Sequence, residues 1–127
     1  MDGRVTVVRS TERPAASGPA TPGMERFDGY VADDRWIGYV TTEPGVQSGW
    51  HHHGEMDTYV FVVRGAVELE SGPGGSEVAT ARIGDFAHIP AGTVHREGTP
   101  GDESAEAVIV RIGSGQPVFN VEVPDPE

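Results

Sequence analysis

From residue 35 onward the chain alternates short apolar runs with breaks marked by glycine and proline. RWIGYVT (35–41), TYVFVVR (58–64), AVELES (66–71), EVATAR (77–82), FAHI (86–89) and AEAVIVRI (105–112) have the length and the β-branched, aromatic or alternating character of strands. QSGWHHH (47–53), TVHRE (93–97) and VFNVEV (118–123) are more polar candidates, and RVTVVR (4–9) predicts a further strand near the N-terminus. SGPGGS (71–76) has the composition of a hairpin loop, and GTPGDES (98–104) that of a second turn-rich connection. No segment sustains a helical apolar period, and no repeat of fixed length is present. Short strands separated by such turns predict an all-β sandwich or barrel.

STERPAASGPATPG (10–23) is too rich in Pro, Ala, Ser and Gly to be core and predicts an extended arm. The expected organisation is therefore an N-terminal strand and flexible arm over 1–23, one strand-built domain over 24–123, and a fraying tail, PDPE, over 124–127. A chain of 127 residues suffices for one closed core. It contains neither an apolar run long enough to span a membrane nor a basic segment leading into an apolar one, so a cytoplasmic location is expected.

Composition then removes several kinds of chemistry. Cysteine is absent, which excludes thiolate catalysis, disulfides and Cys-ligated metals. Every base is arginine, which excludes Schiff-base and P-loop lysines. A net charge of −11, from 20 acids against 9 bases, repels phosphate backbones, and no basic cluster offsets it; no nucleic-acid partner is expected.

What remains is histidine. In GVQSGWHHHGEMDTYVFVVRG (45–65), a strand would turn His51 and His53 to one side and His52 to the other. Two imidazoles at that spacing can share one ion at metal–nitrogen distances near 2.1 Å. Taken alone the pair fits an exposed polar strand end equally well. The second segment, GDFAHIPAGTVHREGT (84–99), contributes a glycine–acid turn, a Pro-x-Gly turn and His95.

Together the two segments resemble the paired motifs of the cupin superfamily. Gly45, His51, His53 and Gly65 stand at the first motif's positions, and Gly84, Pro90, Gly92 and His95 at the second's, with 18 residues between Gly65 and Gly84. The resemblance implies a double-stranded β-helix, a jelly-roll barrel, with one divalent metal ion (Fe, Mn, Zn or Ni) held by His51, His53 and His95. Two positions depart from the pattern: Thr58 stands where the family places a carboxylate ligand, and Thr99 where its second motif ends in Asn. The leading expectation is three histidines with water or substrate completing the shell. Asp57 and Glu55 are alternative fourth donors, although strand alternation turns Asp57 away if Thr58, Val60 and Val62 face inward. Glu97 is a further candidate because it shares parity with His95.

Other residues have simpler expectations. Gln47 shares parity with His51 and is a candidate for the cavity wall. His88 is expected to be packed or on the surface, and Tyr59 and Phe61 in the core or between subunits. Trp50 fits a pocket wall or a subunit contact equally. Arg64, Arg96 and Arg111 are expected at the surface, although one turned inward would bind a carboxylate well. Gly65, Gly84 and Gly92 are expected at tight turns. Functionally the resemblance implies a metal-dependent small-molecule enzyme of the dioxygenase type or of the isomerase, cyclase or lyase type. The alternative is a non-catalytic metal- or ligand-binding module. The expected partner is a small organic molecule, anionic or enolizable, and a homodimer is expected through the N-terminal arm.

Overall fold

The computed structural model describes residues 3–17 and 21–124 of the chain. The strands are β1 (Met24–Ala32), β2 (Arg35–Thr42), β3 (His51–His52), β4 (Asp57–Arg64) and β5 (Ala66–Ser71), then β6 (Glu77–Arg82), β7 (Phe86–Ile89), β8 (His95–Gly98), β9 (Ala105–Ile112) and β10 (Phe119–Asn120). They form two five-stranded sheets, one in the order β1-β2-β9-β4-β7 and the other β10-β3-β8-β5-β6. All pairings are antiparallel. The molecule is thus all-β and double-sheeted, and none of its described helical segments is long and apolar enough to cross a membrane.

Side-chain alternation explains how the sheets meet. Thr58, Val60 and Val62 of β4 point inward and are almost fully buried. Across the ladder they face Arg111, Ile109 and Ala107 of β9. Val60, Val62, Ile89 and Ala107 of the first sheet pack against Leu69 and Ala81 of the second, making the shared core between the layers. The opposite face of the first sheet is not core: Tyr59 is 41% exposed and Phe86 79%. Tyr59 and Phe61 lie on that outer face, Tyr59 stacked on His88 and Phe61 tilted against Phe86, so of the two places expected for them, core or subunit contact, the core is not the one observed.

Two turns carry the strand order. Gly65 joins β4 to β5 at φ +68, where an added Cβ would run into the Ser104 carbonyl. The loop after β5 is a short 3-10 turn, Pro73–Gly75. Gly84 and Gly92 also have positive φ, 87 and 74.

The ends of the chain differ from expectation. Residues 4–9 form no strand; the arm lies along β1 through a β-bridge of Ala15 with Phe27, where Ala16 N–H donates to Arg26 O and Asp28 N–H to Pro14 O, and through the Tyr30 hydroxyl, which donates to Thr6 O. Strand β1 itself has no clear signal in the sequence: acids and Arg26 interrupt its apolar positions, and a register shift between Asp28 and Tyr30 breaks its alternation. The polar strand expected over 47–53 shrinks to His51–His52, and that over 118–123 to Phe119–Asn120. Most of the expected tail, residues 125–127, lies outside the described residues.

Candidate metal centre

His51 of β3 pairs directly with His95 of β8. Two hydrogen bonds hold the strands' approach: Ser48 N–H donates to Glu97 O, and Glu97 N–H to Ser48 Oγ. Thr99, in the position of the family's Asn, fastens the second motif to the first. Its hydroxyl accepts from Gly45 N–H at 2.6 Å and donates to Glu43 O at 3.1 Å. This backbone scaffold puts residues 51 and 95 side by side despite their separation in sequence.

The three imidazoles then converge. Ring centroids lie 4.4 Å apart for His51–His95, 5.0 Å for His51–His53 and 5.1 Å for His53–His95. One ligand atom from each falls within 4.8 Å of the others, and all three side chains are buried. Each Nδ1 lies against a backbone carbonyl: His51 against Gly49 at 2.9 Å, His53 against Pro117 at 2.8 Å and His95 against Thr93 at 2.9 Å. A carbonyl only accepts, so every Nδ1 carries a proton, and Nε2 is the ring atom left to bind a metal. His95 Nε2 is buried and makes no hydrogen bond of good geometry, with the Glu97 carboxylate as a polar neighbour at 3.4 Å, so a metal ion would complete it. With the second proton of His95 displaced, the donor set is three oriented, converging nitrogens, which suits Zn, Fe, Mn or Ni and is capable of coordinating a single divalent ion.

The surrounding charges support neutral imidazoles at two positions. Burial, and then the Arg111 charge, push His53 down to about 3. Burial also pushes His51 down, against the pull of Glu97. At His95 burial is outweighed by Glu97, whose carboxylate is 3.4 Å from Nε2, and the pKa lies above the ordinary value. Burial raises the Glu97 carboxyl, yet the adjoining histidines, His95 first, hold it well below the usual carboxylate range.

Of the proposed fourth donors, Glu97 is the one brought to the histidines, with its oxygens 3.8 Å from His51 Nε2 and 3.4 Å from His95 Nε2. Asp57 points to the outer face, accepting from Ala91 N–H and pairing with His88 at 3.0 Å. Glu55 is exposed in the turn after His53. Thr58 does line the interior, 2% exposed, but its hydroxyl has no partner. Gln47 is not in the cavity wall; it is exposed and donates to Glu70 at 2.5 Å, because the strand is interrupted between residues 47 and 51 and parity does not carry across. His52 faces away and stacks on Phe119. Trp50 lies under the Arg96 guanidinium, and Arg96 and Arg64 pair with Glu70 and Glu106. Arg111 departs from its expected surface position and is turned inward, 8% exposed.

Two spaces that share Arg26 and Arg111 in their linings adjoin the centre. An inner chamber of about 40 Å³, room for a few waters, is lined by His53, Thr58, Val60, Glu97, Ile109 and Arg111. An outer pocket of about 620 Å³, ample for a small organic molecule, is bordered by His51, Arg111, Arg26, Trp36, Pro117 and Val118.

The cupin domain family model matches residues 38–111, more than half of the chain and inclusive of all three histidines. No curated protein matches the chain by sequence. Among solved structures, the polyketide cyclase RemF from Streptomyces resistomycificus is 20% identical with a TM-score of 0.77, covering 93% of this chain and 86% of that one. KdgF from Halomonas sp. is 22% identical with a TM-score of 0.68, covering 86% of this chain and 94% of that one. A double-stranded β-helix protein from Klebsiella pneumoniae is 22% identical with a TM-score of 0.70, covering 83% and 90%. At these identities the likeness is one of fold.

Proposed function

The chain belongs to the cupin family, and from that premise we propose that it is a metal-dependent enzyme acting on a small organic molecule, of the isomerase, cyclase or lyase type. In this reading the two sheets are the halves of one jelly-roll barrel enclosing the centre. The observation that carries it is the convergence of three buried Nε2 atoms, each ring locked by a backbone carbonyl, beside a pocket of substrate size.

His51, His53 and His95 would hold the metal, with Glu97 as the carboxylate beside them. A divalent ion there would supply Lewis-acid polarisation of a substrate oxygen. The protein contributes the rest. Val60, Ile109 and the other apolar residues of the inner chamber exclude water, and the pocket between Trp36 and Val118 orients the substrate. Glu97 remains ionised and carries the negative charge that offsets part of the dication. The similarly folded RemF is a polyketide cyclase, which agrees with the cyclase branch of this reading.

Elemental analysis and substrate turnover test this. One divalent ion per chain is expected, with loss of metal in His51→Ala and His95→Ala. The zinc- or manganese-loaded protein should accelerate α-proton exchange of a 1,3-dicarbonyl without consuming oxygen. Oxygen uptake by the Fe(II)-loaded protein would move the assignment to the dioxygenases. A protein that holds metal but does neither is a binding module.

A further inference from the structure

We propose that Arg111 is the anion-recognition residue of this cavity and that the small molecule taken up carries a carboxylate group. The inference deepens the enzymatic reading and rests on it for the chemistry, though not for the binding.

The observation is a buried cation with no partner. Arg111 is 8% exposed, and among the described residues its guanidinium makes no ion pair and no hydrogen bond; its Nε is buried and unsatisfied. A buried charge in that state is unfavourable unless something completes it. Arg35, Arg64 and Arg96 are completed by Asp34, Glu106 and Glu70. Arg13 also has a buried Nε without a partner, but it lies over the Phe27 and Tyr39 rings and borders neither space beside the histidines. The Arg111 guanidinium lies over the Trp36 ring, 4.8 Å from its centroid, which restrains its plane.

Position makes this a binding element and not only a structural one. Arg111 borders both the inner chamber, with His53, and the outer pocket, with His51, so its side chain is part of both linings. Its ladder neighbour Thr58 offers a second unpartnered polar atom to the inner chamber. Arg26, half-buried on β1, lines both spaces as well. Glu97, the anion in the same chamber, lies against His51 and His95; its charge attracts Arg111 through space, but among the described residues the two make no direct ion pair. A planar fork of donors, held by an indole and short of an acceptor, matches a carboxylate presented edge-on. In a protein of net charge −11 this is a local reversal of sign, and it favours an anion exactly where the histidines can reach the rest of the molecule.

Calorimetric titration with malonate and with its uncharged diamide, malonamide, tests the proposal on both the zinc-loaded and the chelator-treated protein. Malonate should bind at least tenfold more tightly than malonamide in both forms. Arg111→Met, which keeps the volume and removes the charge, should lose at least tenfold in malonate affinity while zinc content stays unchanged. Arg111→Lys should recover part of that loss. Equal malonate binding by the wild type and Arg111→Met overturns the proposal, as does equal binding of malonate and malonamide. If Arg111→Met does not fold, the Lys variant and the malonate–malonamide contrast decide. A wild-type protein that binds malonate through Arg111 but takes up no zinc would sink the metal-enzyme reading and leave this proposal standing.

Discussion

At the scale of single residues, the centre depends on small differences in environment between chemically identical side chains. His53 is held down to about 3 by burial and the Arg111 charge, against about 6.5 in an unfolded chain. Between those values the unfolded chain binds a proton that the folded one does not. The contribution of His53 to stability is therefore complete above about 6.5 and is lost as the pH falls toward about 3. His95, raised by Glu97, runs the other way: its contribution is complete below about 6.5 and is lost as the pH rises through its folded value. Chelator-treated His53→Gln should consequently lose less stability than the wild type between pH 7 and pH 5, measured as the shift in urea midpoint. Equal shifts would show that His53 is not the titrating group. Glu97→Gln should weaken zinc binding about tenfold or more, since it removes the charge beside the dication, and competition with a chelating dye measures it.

At the scale of elements, the turns do more than connect strands. Gly65 and Gly84 share positive φ, but only Gly65 has a backbone carbonyl in the way of a side chain. Gly65→Ala should cost about 2–4 kcal/mol and Gly84→Ala about 1 kcal/mol, read from denaturant unfolding. Similar costs at both would mean that the Ser104 approach relaxes. The strands themselves were largely legible: β2, β4, β5, β6, β7 and β9 follow the apolar runs within a residue or so. Strand β1 was not, because a register shift and interspersed charges hide its period. The direction of β9 was equally hidden. Its more hydrophobic row, Val108, Val110 and Ile112, faces outward, while Ala105, Ala107, Ile109 and Arg111 face in. The inner row is smaller because the chamber needs space, so hydrophobicity alone points the wrong way and places Arg111 at the surface.

At the scale of the whole molecule, the two sheets form a frame whose free space is organised around charge. A divalent ion bound by the folded protein and not by the unfolded one stabilises the fold by mass action. Zinc at about a hundred times its dissociation constant should add about 2.7 kcal/mol, seen as a rise in melting temperature. His95→Ala should melt at the same temperature with and without zinc. A zinc-dependent rise that persists in that variant would place the metal elsewhere.

The amino-acid sequence by itself determined the all-β class, the turn glycines, the absence of thiol and lysine chemistry, and the two histidine motifs. These follow from local periodicity, local backbone demands and residue inventory, all of which act over a few positions. Only the tertiary structure decided which carboxylate faces the histidines, which carbonyls fix their tautomers, and that Arg111 is buried without a partner. Those outcomes depend on which strands lie side by side and on where a strand breaks its alternation. Both are set by packing between segments distant along the chain, and no local pattern encodes them.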